Sequence, residues 1–496
     1  MESKANQPRP IRLCNPDQLR LIGRSSACPS PPQNRGPFCA KMRGPDSTVI
    51  DIGPSSSALD QFTLRRMRRD GYFEMGGSQV KFFCNIEVRC TPSVKYSCHI
   101  SSHEAGHCSQ CAGVPQVTSG QHNEIGMHSV VEDIALFPSS IGTRRQVTVH
   151  RFGVGRPGPK IYLQAGLHAD ELPGMVILSH LVRLLQEREG EPNGEIIIVP
   201  CANPIGLSQR IQGYHAGRAD LGLGGNFNRN FPDLTPLLGA QFAALRSEGL
   251  AMNGEAVKRA MLKAVSALVP KNELDSLKQV LLRLAVDADF VLDVHCADEA
   301  VLYAYVSNPD HPAADLLSRY IGSLATIGGV PELTDFPTAC LLPWRAAQEV
   351  LPDVSITECL SATLEYRGSK GLRDDVAIED ARGLIGFMEA VGLLEGATQP
   401  PSQVVTCHTT LDCVDYVRAS APGIVIFSKT PGDHVQAGEE IGTILDPASG
   451  DRSSLKASAS GVIFGYLYSQ VVVPGGTVAW IAGNSPIEQQ TGDPFP

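Results

Sequence analysis

From about Met127 to about residue 396, short β-rich runs alternate with helical stretches, and no other feature of the sequence restricts the fold as much. The strand-like runs include Lys160–Ala165 (KIYLQA), Glu195–Pro200 (EIIIVP), Asp289–Val294 (DFVLDV) and Val301–Val306. Between them the apolar spacing predicts helices over Glu171–Gln186, Asn272–Val286, Pro312–Ile327 and Asp374–Leu394. Strands alternating with helices imply an α/β sandwich around a mostly parallel sheet. Ligands in such folds gather beyond the carboxyl ends of the strands, so chemistry-bearing residues are to be sought where predicted strands finish.

The flanks differ in character. Residues 1–126 mix Pro, Ser, Gly, Cys and Arg without a period of 2 or 3.6, and the expectation is a low-order extension. Residues 397–410 (ATQPPSQ at their start) interrupt the pattern and predict a linker. Residues 411–482 are β-rich with Gly/Pro punctuation, and residues 483–496 form a tail. Within 411–482, Ala421-Pro422-Gly423-Ile424-Val425 is echoed by Ala459-Ser460-Gly461-Val462-Ile463. Pro431-Gly432-Asp433-His434-Val435 is likewise echoed by Pro474-Gly475-Gly476-Thr477-Val478. A doubled strand–turn–strand unit predicts a small pseudo-symmetric β-barrel.

Charge and cysteine narrow the function classes. The net charge of −10 argues against a dedicated nucleic-acid binder, although residues 1–125 carry 15 Lys/Arg against 10 Asp/Glu. Eight of the 14 cysteines lie at or before Cys111, and the other six are scattered singly. That is no disulfide framework, and a reducing compartment, taken as cytoplasmic, is expected. No apolar run is long enough to span a membrane, and the N-terminus lacks the apolar core of a secretory signal.

Three groups of residues carry candidate chemistry. His168 and Glu171, in Gly166-Leu167-His168-Ala169-Asp170-Glu171, follow a predicted strand and open a helix, so both can reach one metal ion from a single loop. The run Val291-Leu292-Asp293-Val294-His295 ends another strand in a third ligand, with Asp293 placed to orient a ligand by hydrogen bonding. His₂Glu plus water is a catalytic zinc set, although either piece alone is commonplace. The glycine-rich loop Gly225-Asn226-Phe227-Asn228-Arg229-Asn230-Phe231-Pro232 offers an amide and a guanidinium fork for a carboxylate. Upstream, Asn203-Pro204-Ile205-Gly206 is followed by Arg210 and Arg218, either of which could face developing negative charge or simply be solvated. Glu365, in the apolar run Thr363-Leu364-Glu365-Tyr366-Arg367-Gly368, is placed either for proton transfer near a metal or for a structural pair with Arg367.

Taken in order, His-x-x-Glu, Asn-Pro-x-Gly, Asn-Arg-Asn-Phe-Pro, Asp-x-His and a strand Glu resemble the succinylglutamate desuccinylase/aspartoacylase family. Those enzymes belong to the wider zinc carboxypeptidase-like fold, an α/β/α sandwich. The resemblance covers about residues 127–396. It implies that His168, Glu171 and His295 bind Zn2+, that Glu365 is general base and acid, that Asn228 and Arg229 grip a substrate carboxylate, and that Arg210 polarises the scissile carbonyl. The sequence departs from many relatives at Cys296-Ala297-Asp298, where Thr-Gly is usual. Residues 411–482 look like the barrel-sandwich domain of predicted deacylases, itself similar to biotinyl and lipoyl carriers. The hairpin tip Asp446–Arg452 has no carrier lysine, so a swinging-arm role is not expected.

The resulting expectation is a zinc-dependent amidohydrolase that removes the acyl group of a small N-acyl amino acid or related amine. It would work without nucleic-acid or membrane partners, and a homo-oligomer is left open. A zinc carboxypeptidase acting on peptides, and a non-enzymatic binding or scaffold protein built on the barrel, are the alternatives. His103-Glu104-Ala105-Gly106-His107 matches H-E-x-x-H, but its flanks are poor helix formers. It is read as a decoy or as part of a small Cys/His site.

Overall fold

The computed structural model describes residues 126–249, 251–330, 334–401, 406–467 and 469–487, with the backbone of short strands between residues 40 and 101. The chain divides into two compact units, Met1–His122 and Asn123–Pro496. In the first, Ala40–Arg43 pairs antiparallel with Val49–Ile52, and Gly71–Met75 with Ser78–Phe82. The H-E-x-x-H motif lies outside the described residues.

Strands Ser129–Ala135 (β1), Gln146–Phe152 (β2), Lys160–Ala165 (β3), Glu195–Val199 (β4), Phe290–Ala297 (β5), Leu302–Val306 (β6), Ala325–Gly328 (β7), Leu360–Gly368 (β8) and Cys407–Thr410 (β9) form one sheet, in the order β9-β7-β6-β8-β5-β3-β4-β2-β1. The four central strands β8, β5, β3 and β4 run parallel, so their carboxyl ends share one edge. The helices are Leu172–Gln186 (α1), Thr235–Ser247 (α2), Gly254–Ser266 (α3), Glu273–Ala285 (α4), Ala314–Ile321 (α5), Phe336–Val350 (α6) and Asp374–Ala390 (α7).

Alternation along the strands feeds two cores, because successive side chains point to opposite faces. Tyr162, Ile197, Val199 and Val291 join α2, α3, α4 and α6 on one face. Ile161, Leu163, Ile196, Ile198, Leu292 and Val294 join α1, α5 and α7 on the other. Covering both faces is what lets parallel strands be apolar throughout, and the α/β/α sandwich follows. The run Pro312–Ile327 divides rather than forming one helix. Gly322, at φ 72°, ends α5 in a left-handed cap, and Ala325–Gly328 is a fully buried strand. Apolar content alone does not tell a buried strand from the next helical turn.

The C-terminal region is an antiparallel barrel of Val414–Arg418 (β10), Gly423–Phe427 (β11), Glu440–Leu445 (β12), Arg452–Lys456 (β13), Gly461–Tyr466 (β14) and Thr477–Gly483 (β15). It is interlaced with the sandwich at two places. Cys407–Thr410, from the proline-interrupted stretch, pairs parallel with β7 as an edge strand of the large sheet. Glu299–Ala300, from the sandwich, pairs antiparallel with Tyr466 and Gly465 of the barrel. Between them Tyr303, Phe464 and Trp480 stack into a shared apolar cluster, with Tyr303 and Phe464 ring centroids 4.8 Å apart. No helix among the described residues is long and apolar enough to cross a membrane.

Candidate active site

The carboxyl edge of the central strands gathers the predicted ligands. His168 follows β3, Glu171 caps α1, and His295 lies near the end of β5; all three are buried, and their ligand atoms lie within 4.8 Å of one another. His168 Nδ1 stands 2.9 Å from Glu171 Oε1, and His295 Nδ1 stands 2.8 Å from Glu171 Oε2. The opposite ring nitrogens decide what these contacts are. The Asn228 backbone N–H donates to Asn226 Oδ1 (2.8 Å), so the atom that His168 Nε2 meets at 2.8 Å is an acceptor, and Nε2 must carry the proton. His295 Nε2 faces Asp293 Oδ2 at 2.9 Å and is fixed the same way. Were both imidazoles neutral, each would aim an Nδ1 lone pair at a carboxylate oxygen. Acceptors facing acceptors need a cation or an extra proton between them, and a His₂Glu donor set of this kind fits a zinc ion.

The titration behaviour follows. Burial pushes the Glu171 carboxyl up, but the charges and hydrogen bonds of His168 and His295 outweigh it and hold the group well below the usual carboxylate range. Burial lowers His295, yet Asp293 and Glu171 carry it well above its ordinary value. His168 is lowered, by burial first. Burial also pushes the Cys296 thiol up, so it stays neutral; its backbone N–H donates to Glu171 Oε2 at 3.1 Å.

Glu365 lies beside this cluster, in register with His295 on the adjacent strand β8. Its Oε2 is buried without a hydrogen-bond partner among the described residues. Burial, then the nearby Glu171, pushes its carboxyl up to about 8, against opposing pulls from His295 and Arg218. A bound cation would add a further pull downward. Arg367, the alternative partner of Glu365, instead forks onto Asp380 of α7 with bonds of 2.7 and 2.9 Å.

The sequence profile of the succinylglutamate desuccinylase/aspartoacylase catalytic domain matches residues 157–256, the segment that contains His168, Glu171 and the Asn-Arg loop. The chain is 24% identical over 332 residues to the N-alpha-acetyl-L-2,4-diaminobutyric acid deacetylase of Halomonas elongata, covering 66% of this chain and 82% of that one. Both matches support the resemblance to the succinylglutamate desuccinylase/aspartoacylase family read from the sequence motifs. Solved structures agree on the fold. A Shewanella frigidimarina protein assigned to the succinylglutamate desuccinylase/aspartoacylase family is 19% identical with a TM-score of 0.64, over 73% of this chain and all of that one. A Shewanella amazonensis protein of the same family is 22% identical with a TM-score of 0.62, over 71% of this chain and 98% of that one. The product-bound ectoine utilization protein of Ruegeria pomeroyi is 17% identical with a TM-score of 0.52, over 72% of this chain and 95% of that one.

The two candidate arginines separate clearly. Arg210 is exposed, and its guanidinium donates to the carbonyls of Leu207 and Gln209, with no bond to the cluster among the described residues. Arg218 reaches it instead, with 3.0 Å to Glu171 Oε1. The chain path explains the difference. A tight antiparallel turn, Arg210–Ile211 against Tyr214–His215, reverses the backbone, and Gly217 then presses against the His168 loop. A Cβ at Gly217 would lie 2.3 Å from Asp170 N, so only glycine permits the approach that delivers Arg218.

Asn228 is occupied inside the protein. Its Oδ1 accepts from Phe336 N (2.8 Å), and its Nδ2 lies 3.5 Å from Asp293 Oδ2. Of the pair expected to hold substrate, only Arg229 has most of its donors left among the described residues, with one bond to the Asn228 carbonyl. Asn226 and Gln164 are bonded to this cluster, directly or through Asp293, and sequence reasoning left both without a role. Gln164 Nε2 donates to Asp293 Oδ1 (2.9 Å) and its Oε1 accepts from Tyr162 (2.8 Å), making a buried relay behind His295. A glutamine in the otherwise apolar run KIYLQA was the available signal.

Proposed function

We propose that this chain is a zinc-dependent amidohydrolase that releases the acyl group from an N-acyl amino acid or a related N-acylated amine. The carrying observation is a buried His-Glu-His set whose two Nδ1 atoms converge on one carboxylate, beside a carboxyl with an unpartnered oxygen. The deacetylase of Halomonas elongata supports the substrate class.

His168, Glu171 and His295 would hold the zinc, which when bound supplies an activated water and a Lewis acid for the scissile carbonyl. Asn226 and Asp293 keep the two imidazoles in the tautomer that offers Nδ1. Glu365 accepts a proton from the attacking water and hands it to the amine nitrogen as the C–N bond breaks and the new C–O bond is kept. Arg218, held against Glu171, faces the charge that develops on the carbonyl oxygen. Arg229 binds the carboxylate of the amino-acid portion with its planar fork. The products are a carboxylate and a free amine.

The test is amine release from a panel of N-acetyl and N-succinyl amino acids, including N-acetyl-2,4-diaminobutyrate, by the full chain with zinc and after chelation. Release that needs zinc and falls about 10²–10⁴-fold in Glu365→Gln is expected. A folded, zinc-loaded protein that releases no amine from any member of the panel overturns the proposal.

A further inference from the structure

Glu365 and Arg367 are two residues apart on β8, and in a regular strand they would lie on the same face, about 6.6 Å apart. A guanidinium at that spacing reaches a carboxylate easily and would form an ion pair with it. The backbone prevents this. His295 pairs with Glu365, but Ala297 pairs with Gly368, so β8 carries one extra residue against β5 immediately after Glu365. Arg367 in that bulge has φ 62°, a left-handed conformation that β-branched and most other side chains avoid and that glycine adopts freely. The bulge turns the arginine off the Glu365 face and onto α7, where Asp380, almost fully buried, takes both guanidinium nitrogens. Gly368 then fits against the segment that follows β5, where a Cβ would lie 2.6 Å from the Asp298 carbonyl.

A non-glycine residue at a disfavoured backbone angle, fixed by a bidentate bond to a buried acid, is a constraint imposed by the surroundings. On this geometry we infer that Asp380 is a positioning residue for the reaction: it sequesters Arg367 in the β8 bulge and so keeps Glu365 free of an ion pair. Were the clamp released, the chain could relax toward the regular strand and bring the guanidinium to the carboxylate. The proton carrier would then be engaged before substrate arrives. The inference rests on Glu365 carrying the proton in the proposed hydrolysis.

The experiment is a double-mutant cycle in the full, zinc-loaded chain, with the N-acetyl amino acid best hydrolysed by the wild type. Asp380→Ala, and the isosteric Asp380→Asn should the former fold poorly, are expected to lower kcat at least tenfold, with KM within about twofold and zinc content unchanged. Adding Arg367→Gly to either should restore most of the lost kcat, because glycine accepts the bulge and removes the competing guanidinium. A clamp that served only packing would leave the double variant no better than the single one, and that result overturns the inference. So does full activity in both Asp380 variants while Glu365→Gln is inactive. Activity that survives in Glu365→Gln overturns the base assignment, and this inference with it.

Discussion

Replacing Glu365 by glutamine should stabilise the metal-free protein at alkaline pH. The folded carboxyl titrates at about 8, against an ordinary value of 4.5. Between those values the folded chain holds a proton that the unfolded chain has released, so stability falls as pH rises through the window. The sign is opposite to that of a salt-bridged carboxylate, whose contribution is lost toward acid. At about 1.4 kcal/mol per pH unit, the interval of about 3.5 units sets a ceiling of about 5 kcal/mol. Although Oε2 is buried, Glu365 as a whole is of intermediate exposure, and solvent screening brings the expected figure down to about 2–3 kcal/mol. Glutamine mimics the protonated form. His295 and Glu171 titrate in both proteins, so their contributions largely cancel in the difference. Urea denaturation followed by circular dichroism, with chelator, at intervals from about pH 5 to about pH 9, measures it. The variant's advantage should grow from near zero to about 2–3 kcal/mol, and zinc should shrink it. Two stability curves that stay parallel across the range would falsify the environment assigned to Glu365.

Other consequences are as direct. His168→Ala or His295→Ala should abolish tight zinc binding, and Asn226→Ala should weaken it about 10–100-fold, measured by competition with a chromogenic chelator. Unchanged affinity in Asn226→Ala would mean that the His168 tautomer is fixed elsewhere. Arg218→Ala should lower kcat about 10²–10³-fold while Arg210→Ala stays within about twofold; the reverse order would bear out Arg210, the arginine that the family resemblance implies. Phe464→Ala should cost about 3–5 kcal/mol, and because its ring bridges sandwich and barrel, calorimetry should find one cooperative transition moved down. Two separated transitions would contradict a shared core.

The sequence was most legible where local pattern and burial coincide. Lys160–Ala165 and Leu172–Gln186 form within a residue of their predicted bounds, because a doubly buried parallel strand is an apolar run and α1 keeps a helical period. The three metal-ligand candidates adjoin such runs: His168 follows β3, Glu171 precedes α1, and His295 lies near the end of β5. Arg210 was not distinguishable from Arg218, because which limb of a short reversed turn faces inward depends on the contact between Gly217 and the His168 loop, a tertiary approach. The fate of Asn228 depended on α6, whose first residue supplies the N–H it accepts, 108 positions away in sequence. The bulge at Arg367 was hidden too, since nothing in Glu-Tyr-Arg-Gly announces a left-handed arginine.

The interlacing of the two domains bears on how such a chain can be cut, grafted or inherited. A fragment ending at residue 396 loses Cys407–Thr410 and exposes the backbone of Ala325–Gly328, a bare sheet edge of the kind that templates aggregation. A fragment starting there keeps the barrel but loses Glu299–Ala300, the segment that closes its face beside Tyr466. Neither half is a transplantable cassette, and a protease that nicks the proline-rich connection need not release either one. The barrel therefore has no freedom to travel as a tethered arm, and any opening at this end of the molecule must break β-ladders rather than flex a hinge.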